Sequence, residues 1–274
     1  MIKNLEFFGC SVTAGNELWE EAHLPNYKKM TFDEARKVAN THPYTELRPY
    51  NIANGFPALT AKALGVDFKN HGIPGIANKE IAARAIAAFP EDMYKEGSTV
   101  FLQLTTHNRA FIRYKETKKE SLLGSFVIHP SANDDRLTKS QNNLIKESFL
   151  EFYNETLLSL DDHIFMYYAI EVLRNKGIDA HILWCDTDVI DWASWDNTSH
   201  AHVSEKDVPL KTDTDPQYLP NLSRHIAGSH IKYNPLGTTL NKIVGEDSRL
   251  PRWHYTKNAH IAIADALTKR LKNV

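Results

Sequence analysis

The stretch Phe7-Phe8-Gly9-Cys10-Ser11-Val12-Thr13-Ala14-Gly15 decides how this chain is interpreted. It follows a mostly apolar run from Ile2 to Phe8 that predicts a first β-strand, and its two glycines with small polar side chains between them predict a turn. If a helix begins just after Ser11, its first N–H groups and its dipole favour negative charge that develops beside the hydroxyl. Ser11 is therefore a candidate nucleophile, and its alternative role is the N-cap of that helix.

The composition is that of a globular protein without a strongly charged partner. Of 274 residues, 42% are hydrophobic and 24% are charged, and the formal net charge is -2. This balance favours neither nucleic acid nor an anionic membrane as a partner, and it leaves the oligomeric state open. No apolar stretch approaches the ~20 residues of a membrane span, and the N-terminus lacks the apolar centre of a signal peptide. We therefore expect a cytoplasmic protein, with association with a phage or virion as the other location.

Predicted strands alternate with predicted helices along the chain. The strands lie at 2–8, 66–68, 98–105 and 178–185, and the helices lie at 16–21, 31–39, 55–65, 78–89, 140–177 with a break at 160–162, and 258–271. This rhythm predicts an α/β fold, a three-layer α/β/α sandwich around a central, mostly parallel sheet. One domain is expected over residues 1–274, with irregular loop insertions at about 106–140 and 186–253.

Polar residues gather where the predicted strands end. Ser11, Gly75, Thr105 to Arg109 and Asp186 each follow a strand or a glycine-rich turn. Parallel strands end at the same edge of a sheet, and ligands of open α/β sheets bind beyond that edge. We expect these residues to converge on one rim.

Three separate motifs resemble those of the SGNH hydrolases, the GDSL esterase superfamily. Gly9-Cys10-Ser11 stands where that family has its Gly-Asp-Ser nucleophile turn, Asn70 to Gly75 matches its second element, and His254 to Ala264 is similar to its terminal histidine and last helix. The Gly-Cys-Ser version resembles phage or marine bacterial members. The chain lacks the Gly-x-Ser-x-Gly elbow of α/β-hydrolases. The resemblance implies a flavodoxin-like SGNH fold and hydrolysis of an ester.

The resemblance also implies roles for individual residues. Ser11 would attack an ester carbonyl, and His254 would take its proton and later protonate the leaving alcohol. The N–H groups of Ser11 and Gly75 would hold the oxyanion, with help from Asn108 or Thr106. Cys10 is an alternative nucleophile, although its side chain is expected to point opposite to that of the serine.

The acid partner of His254 is where the chain departs from the family. Pro251 occupies the position, three residues before the histidine, at which an aspartate is expected. Asp247 is a candidate replacement, and Glu246 and the Asp186-Thr187-Asp188 loop are others. A backbone carbonyl could also orient the ring in a serine–histidine dyad.

The expected function is a serine esterase that removes acetyl or another short acyl group from a small-molecule or glycan ester, with no cofactor and no metal. Four aromatic residues motivate a carbohydrate substrate, because exposed aromatic rings stack on sugar faces. They are Trp184, Trp192, Trp195 and Tyr218. An acyltransferase with the same chemistry is one alternative, and a carbohydrate-binding or virion structural module with a decayed site is another. The histidines His200, His202, His225 and His230 form either a metal site or, more simply, a solvated loop.

Overall fold

A four-stranded parallel sheet forms the centre of the fold. The computed structural model describes residues 2–88, 94, 97–105, 109–115, 121–127, 138–152, 155–185, 233–245 and 248–273. Its strands are β1 (Asn4–Phe8), β2 (Asp67–Asn70), β3 (Ser98–Leu104), β4 (Arg109–Lys115), β5 (Ser121–Val127) and β6 (Asp179–Trp184). The central sheet has the order β2-β1-β3-β6, and all its neighbouring strands are parallel. The predicted parallel sheet is therefore confirmed.

The register places two fully buried strands in the middle of the sheet. In β1, Phe7 is aligned with Asn70 on one side and with Phe101 on the other. In β3, Leu102 is aligned with Ile182 of β6. Every residue of β1 and β3 is buried, as expected for strands covered on both faces, whereas β2 is partly exposed at the edge.

Helices cover both faces of the sheet. They are α1 (Leu18–His23), α2 (Phe32–Ala39), α3 (Tyr44–Asn54), α4 (Phe56–Leu64), α5 (Asn78–Ala87), α6 (Lys139–Phe152), α7 (Glu155–Asn175), α8 (Leu240–Val244) and α9 (Lys257–Lys272). The chain crosses the sheet in one direction from β1 to β2 and in the other from β2 to β3 and β6. Right-handed crossovers then place α4 on one face and α5 and α7 on the other. Accordingly, α4 packs against α9 and α5 packs against α7, which confirms the three-layer sandwich.

Several helix ends fall where the sequence predicts them. At the start of α2, the Thr31 hydroxyl accepts a hydrogen bond from the Glu34 N–H, and the Glu34 carboxylate accepts one from the Thr31 N–H. Helix α4 ends at Leu64 and is followed by Gly65, whose φ of +70° is one that L side chains rarely adopt. Helix α9 begins after Thr256, whose hydroxyl accepts from the Ala259 N–H.

The helix expected directly after Ser11 is absent from the structure. Residues 11–17 form consecutive turns, and α1 begins only at Leu18. The reason is local, because Gly15 and Glu17 both have left-handed backbones, with φ of 72° and 71°, and these interrupt a right-handed helix. The prediction that a helix dipole acts on the serine hydroxyl is therefore wrong.

Other elements also differ from the sequence predictions. Within the insertion expected to be irregular at about 106–140, β4 and β5 pair as an antiparallel hairpin. The helix break expected at 160–162 lies inside α7, because Asp162 is buried and accepts a hydrogen bond from Asn78 Nδ2 (2.8 Å) instead of capping a helix. Helix α3 was not predicted, since it contains Pro49, a residue that usually ends helices.

Two hydrophobic clusters form the interior of the part of the chain that the structure describes. The main core lies between the sheet and its helices, with Phe101 and Leu267 fully buried in it. A smaller cluster contains Tyr27, Ala35 and Leu250 and is separate from the main core. In the described part of the chain, no helix has the length and apolar character needed to pass through a bilayer.

Candidate active site

The turn of residues 10–17, called the serine turn here because it carries Ser11, is fastened to the middle of the sheet. Gln103, a buried residue of β3, accepts hydrogen bonds at Oε1 from the Cys10 N–H (3.2 Å) and from the Thr13 hydroxyl (2.8 Å). The turn is therefore tied to the neighbouring strand at two points on either side of the serine. A candidate nucleophile in this place is held above the carboxyl edge of the sheet.

A second segment packs directly on the serine turn because glycine allows a close approach. A Cβ at Gly72 would lie 2.5 Å from the backbone nitrogen of Ala14, so no larger residue fits without movement. Asn70 Nδ2 donates a hydrogen bond to the Thr13 carbonyl (2.7 Å). The segment that leads to Gly75 is therefore anchored on the turn that carries the serine.

Ser11 is nearly buried, and its hydroxyl and its N–H have no nitrogen or oxygen partner among the described residues. The residue is 7% exposed, and within the described residues its hydroxyl meets only the Cys10 sulfur, at 4.0 Å. No described residue accepts a hydrogen bond from the Ser11 N–H or from the Gly75 N–H. These are the two donors predicted for an oxyanion hole, and both are free to bind an incoming oxygen.

Cys10 packs beneath the serine turn. It is 3% exposed, and its sulfur lies 3.2 Å from Gln103 Oε1. The Gln103 Nε2 donates to the sulfur of Cys185 (2.8 Å), so one side-chain amide contacts both cysteines, which are free thiols. A buried thiol in hydrogen-bond contact with an amide is poorly placed to attack a substrate.

His254 is held by Glu17, the last residue of the serine turn. The distance from His254 Nδ1 to Glu17 Oε2 is 2.5 Å, and 237 positions separate the two residues in the chain. The Asn16 N–H donates to the Ser11 carbonyl (3.0 Å), so the acid and the serine belong to one short turn. No hydrogen bond joins Ser11 Oγ to His254 within the described residues, and hydrogen bonds between catalytic groups are often long before substrate binds. The sequence offers only one signal for Glu17, an acidic residue shortly after the serine.

Four hydrogen bonds from described residues fix the Glu17 carboxylate. Besides the His254 ring, the Tyr27 hydroxyl (2.6 Å), the Arg252 N–H (3.1 Å) and the His254 N–H (3.3 Å) donate to it. Burial raises the pKa of Glu17, but the contacts with His254, Tyr27 and Arg252 outweigh burial and lower it overall. The ionised carboxylate accepts a hydrogen bond from the Nδ1–H and leaves the Nε2 lone pair of His254 available, so the ring can act as a general base.

A second buried carboxylate lies one helical turn beyond Glu17. Glu20 is 3% exposed, its Oε1 lies 3.8 Å from Arg252 Nη1, and its Oε2 has no hydrogen-bond partner among the described residues. Burial raises the pKa of Glu20, and its own N–H and the Arg252 guanidinium offset only part of that effect. Glu20 does not hydrogen-bond to His254, so the structure distinguishes the two acids clearly.

Of the remaining predicted residues, one has a predicted role that is wrong, and the others lie outside the described residues. Trp184 is 1% exposed at the end of β6 and packs against His163, with ring centroids 4.6 Å apart, so its predicted role in sugar stacking is wrong. Those outside are Thr106, Asn108, Asp186, Thr187, Asp188, Trp192, Trp195, His200, His202, Tyr218, His225, His230, Glu246 and Asp247. Among the described residues, no group of three or more His, Cys, Asp and Glu side chains could hold a metal ion.

Comparisons with known proteins give structural likeness without sequence similarity. No protein-family model matches the chain, and no curated protein is significantly similar to it. A G-D-S-L family protein from Desulfitobacterium hafniense is 9% identical with a TM-score of 0.44, and the match covers 98% of this chain and 99% of that one. A member of the lipolytic G-D-S-L family from Veillonella parvula is 10% identical with a TM-score of 0.45, and the match covers 99% and 100%. An acetyl xylan esterase from Butyrivibrio proteoclasticus is 12% identical with a TM-score of 0.43, over 99% of this chain and 64% of that longer one. The first two proteins carry the name of the superfamily that the sequence motifs resemble.

Proposed function

We propose that this protein is a serine esterase in which Ser11 is the nucleophile, His254 the base and Glu17 the orienting acid. The observation that carries the proposal is the 2.5 Å hydrogen bond between His254 Nδ1 and the buried Glu17 carboxylate, which lies on the same turn as the serine. A fixed tautomer and ring orientation are what a histidine needs to deprotonate a neighbouring hydroxyl. Glu17 also supplies the acid that Pro251 cannot, which removes the main reason to regard the site as decayed.

The proposed reaction has two matched halves. The Ser11 oxygen bonds to the ester carbonyl carbon while its proton passes to His254 Nε2, and the resulting oxyanion accepts hydrogen bonds from the Ser11 and Gly75 N–H groups. Collapse breaks the bond to the alcohol, which takes the proton from His254 and leaves the serine acylated. Water then attacks the acyl group by the same route, releasing the carboxylic acid. Glu17 stays ionised and stabilises the imidazolium in both halves.

A short acyl group suits the burial of the serine. Ser11 is 7% exposed, and the close packing of Gly72 on Ala14 holds its turn in place. A long acyl chain needs an extended apolar slot beside the nucleophile, whereas acetyl needs only a small recess. We therefore assign acetyl or a similarly short acyl group, and we assign a carbohydrate as the alcohol half. The support for the carbohydrate is the exposed indole of Trp253, the residue directly before His254.

Labelling with a fluorophosphonate tests the nucleophile directly. We expect one adduct, on the peptide that contains Ser11, in the folded protein, and none in Ser11→Ala or in urea. Cys10→Ala is the matched control, since it removes the adjacent nucleophile and should leave the adduct in place. A Ser11→Ala protein that still hydrolyses p-nitrophenyl acetate at the wild-type rate would refute the assignment.

Acetate release separates the esterase from an acyltransferase. With no added alcohol, the esterase should release one acetate for each ester consumed, because water is the acceptor. Turnover that starts only when an alcohol acceptor is supplied would favour the acyltransferase instead.

A further inference from the structure

Two residues with left-handed backbones are linked to His254, Glu17 by a hydrogen bond to its ring and Trp253 as its neighbour in the chain. Apart from glycine, the described residues with positive φ are Glu17 (71°), Asn26 (59°) and Trp253 (69°). Asparagine adopts this conformation readily, but for a bulky residue it costs about 1–3 kcal/mol, and such strain is concentrated at functional sites. The strain at Glu17 is explained by its hydrogen bond to the ring. The strain at Trp253, the residue directly before the histidine, needs a separate explanation.

The fold does not explain why residue 253 is a tryptophan. The Trp253 side chain is 71% exposed, more than any other large hydrophobic side chain among the described residues. Its N–H donates to the Leu250 carbonyl (2.9 Å), and its carbonyl accepts from Arg249 Nη1 (2.7 Å). Both bonds use only the backbone, so asparagine or glycine would form the same turn with less strain.

The position of Trp253 relates it to the alcohol half of the ester. In ester hydrolysis the leaving oxygen takes its proton from the histidine, so the alcohol must lie against His254 and its neighbours. The preceding residue, Arg252, has a side chain 27% exposed whose Nη1 lies 3.8 Å from Glu20. Arg252 and Trp253 therefore directly precede the histidine in the chain.

The exposed indole of Trp253 favours an alcohol group that contains a rigid, partly polar ring. A flexible hydrocarbon gains little from a single ring face, because most of the chain stays in water. A pyranose offers a flat C–H face for stacking and keeps its hydroxyls in water or on donors such as Arg252. We propose that Trp253 is the platform on which the sugar ring of the alcohol half stacks, so that it selects carbohydrate esters. This inference rests on the proposed esterase function.

Two acetate esters of polyols, one with a ring and one without, test the platform. The ring substrate is methyl mono-O-acetyl-β-D-xylopyranoside, and the open-chain substrate is glycerol monoacetate. Trp253→Asn removes the indole with a residue that tolerates the left-handed backbone. We expect kcat/KM for the xyloside to fall about tenfold, mainly through KM, while kcat/KM for glycerol monoacetate changes less than twofold. Trp253→Phe should keep most of the activity on the xyloside.

The controls separate the platform from the esterase itself. Tyr168→Ala removes another exposed aromatic side chain, which lies on α7 and is 62% exposed. This variant should leave kcat/KM for both esters unchanged. If Trp253→Asn lowered kcat/KM equally for both esters, the tryptophan would position the histidine. If kcat/KM were unchanged for both, the tryptophan would have no role. Either result overturns the platform. If the wild-type protein hydrolyses neither ester and is not labelled by fluorophosphonate, the proposed esterase function is refuted instead. Binding of methyl β-D-xylopyranoside to Ser11→Ala, followed by indole fluorescence, then decides the platform independently.

Discussion

At the scale of single residues, two buried carboxylates near His254 have opposite environments. Glu17 accepts hydrogen bonds from four donors and remains ionised, whereas Glu20 faces one distant guanidinium and has an oxygen without a described partner. Their pKa values consequently move in opposite directions, down for Glu17 and up for Glu20, although burial disfavours the charge of both. The environment thus selects one of two adjacent acids for the histidine.

We expect Glu17→Gln to lower kcat on p-nitrophenyl acetate by about 10²–10⁴-fold. Glutamine keeps the size of the side chain, but it cannot stabilise the imidazolium, and it can donate to Nδ1 and so favour the wrong tautomer. Glu20→Gln makes the same chemical change one helical turn away and should alter kcat less than about twofold. Circular dichroism would verify that both variants fold. Near-wild-type kcat in a folded Glu17→Gln protein would show that His254 does not need this acid.

The sequence pointed to the candidate nucleophile, the oxyanion donor and the histidine, but it did not point to the acid that orients the histidine. Ser11 follows a predicted strand and Gly75 lies in a glycine-rich turn, while His254 is singled out by its resemblance to the terminal histidine of the SGNH hydrolases. Glu17 has its partner 237 positions away, and its left-handed backbone, which the sequence pattern of a short helix conceals, aims it at the ring. Only the folded chain shows this contact.

At the scale of elements, one buried histidine joins the last helix to the start of α4. His260, on α9, accepts a hydrogen bond at Nδ1 from the Phe56 N–H (3.0 Å), and the two rings stack with centroids 5.8 Å apart. This N–H is one of the orphan donors of a helix N-terminus. Burial lowers the pKa of His260 to about 3, with a smaller contribution from the charge of His254. The neutral ring is therefore the form that the fold requires.

The pH dependence of stability should report this histidine. Its pKa is lower in the folded state than the ordinary value of 6.5, so the unfolded state binds the proton more tightly. Stability from His260 is complete above 6.5 and is lost as pH falls, approaching about 1.4 kcal/mol per pH unit. His260→Asn keeps an acceptor near Nδ1 without a titrating group, so its urea unfolding free energy should fall less steeply between pH 6.5 and pH 5. Equal slopes for both proteins in that window would contradict this account.

The elements that the sequence predicted are those with strong local patterns. Strands β1 and β3 are apolar runs, α2 begins with a capping box, and α4 is followed by a left-handed glycine. The antiparallel hairpin and α3 were missed, because charged and turn-forming residues or Pro49 mask their periodicity and only tertiary packing decides them. Local sequence signals therefore predict the order of the central strands and their helices, but they do not predict the secondary structure of the insertions.

At the scale of the whole molecule, the segment that carries His254 bridges two hydrophobic clusters. Leu250 packs into the small cluster with Tyr27, and Tyr255 is buried in the main core. Between them the Leu250 N–H donates to the His254 carbonyl (2.7 Å). The Tyr27 hydroxyl also donates to Glu17, so the small cluster supports both the acid and the histidine. Packing outside the main core therefore sets the geometry of the site.

Two leucine truncations should separate stability from site geometry. Leu267→Ala, in the main core, should cost about 2–5 kcal/mol of unfolding free energy and leave kcat unchanged below the unfolding transition. Leu250→Ala should cost no more than about 2 kcal/mol, because its cluster is small, yet lower kcat about 10–100-fold, since a shift of about 1 Å in a catalytic group has an effect of that size. Urea unfolding and p-nitrophenyl acetate kinetics at one temperature measure both quantities. Leu250→Met, which conserves volume, should restore kcat. If kcat instead followed stability in all three variants, the small cluster would be ordinary packing, and the position of His254 would be set by the main core alone.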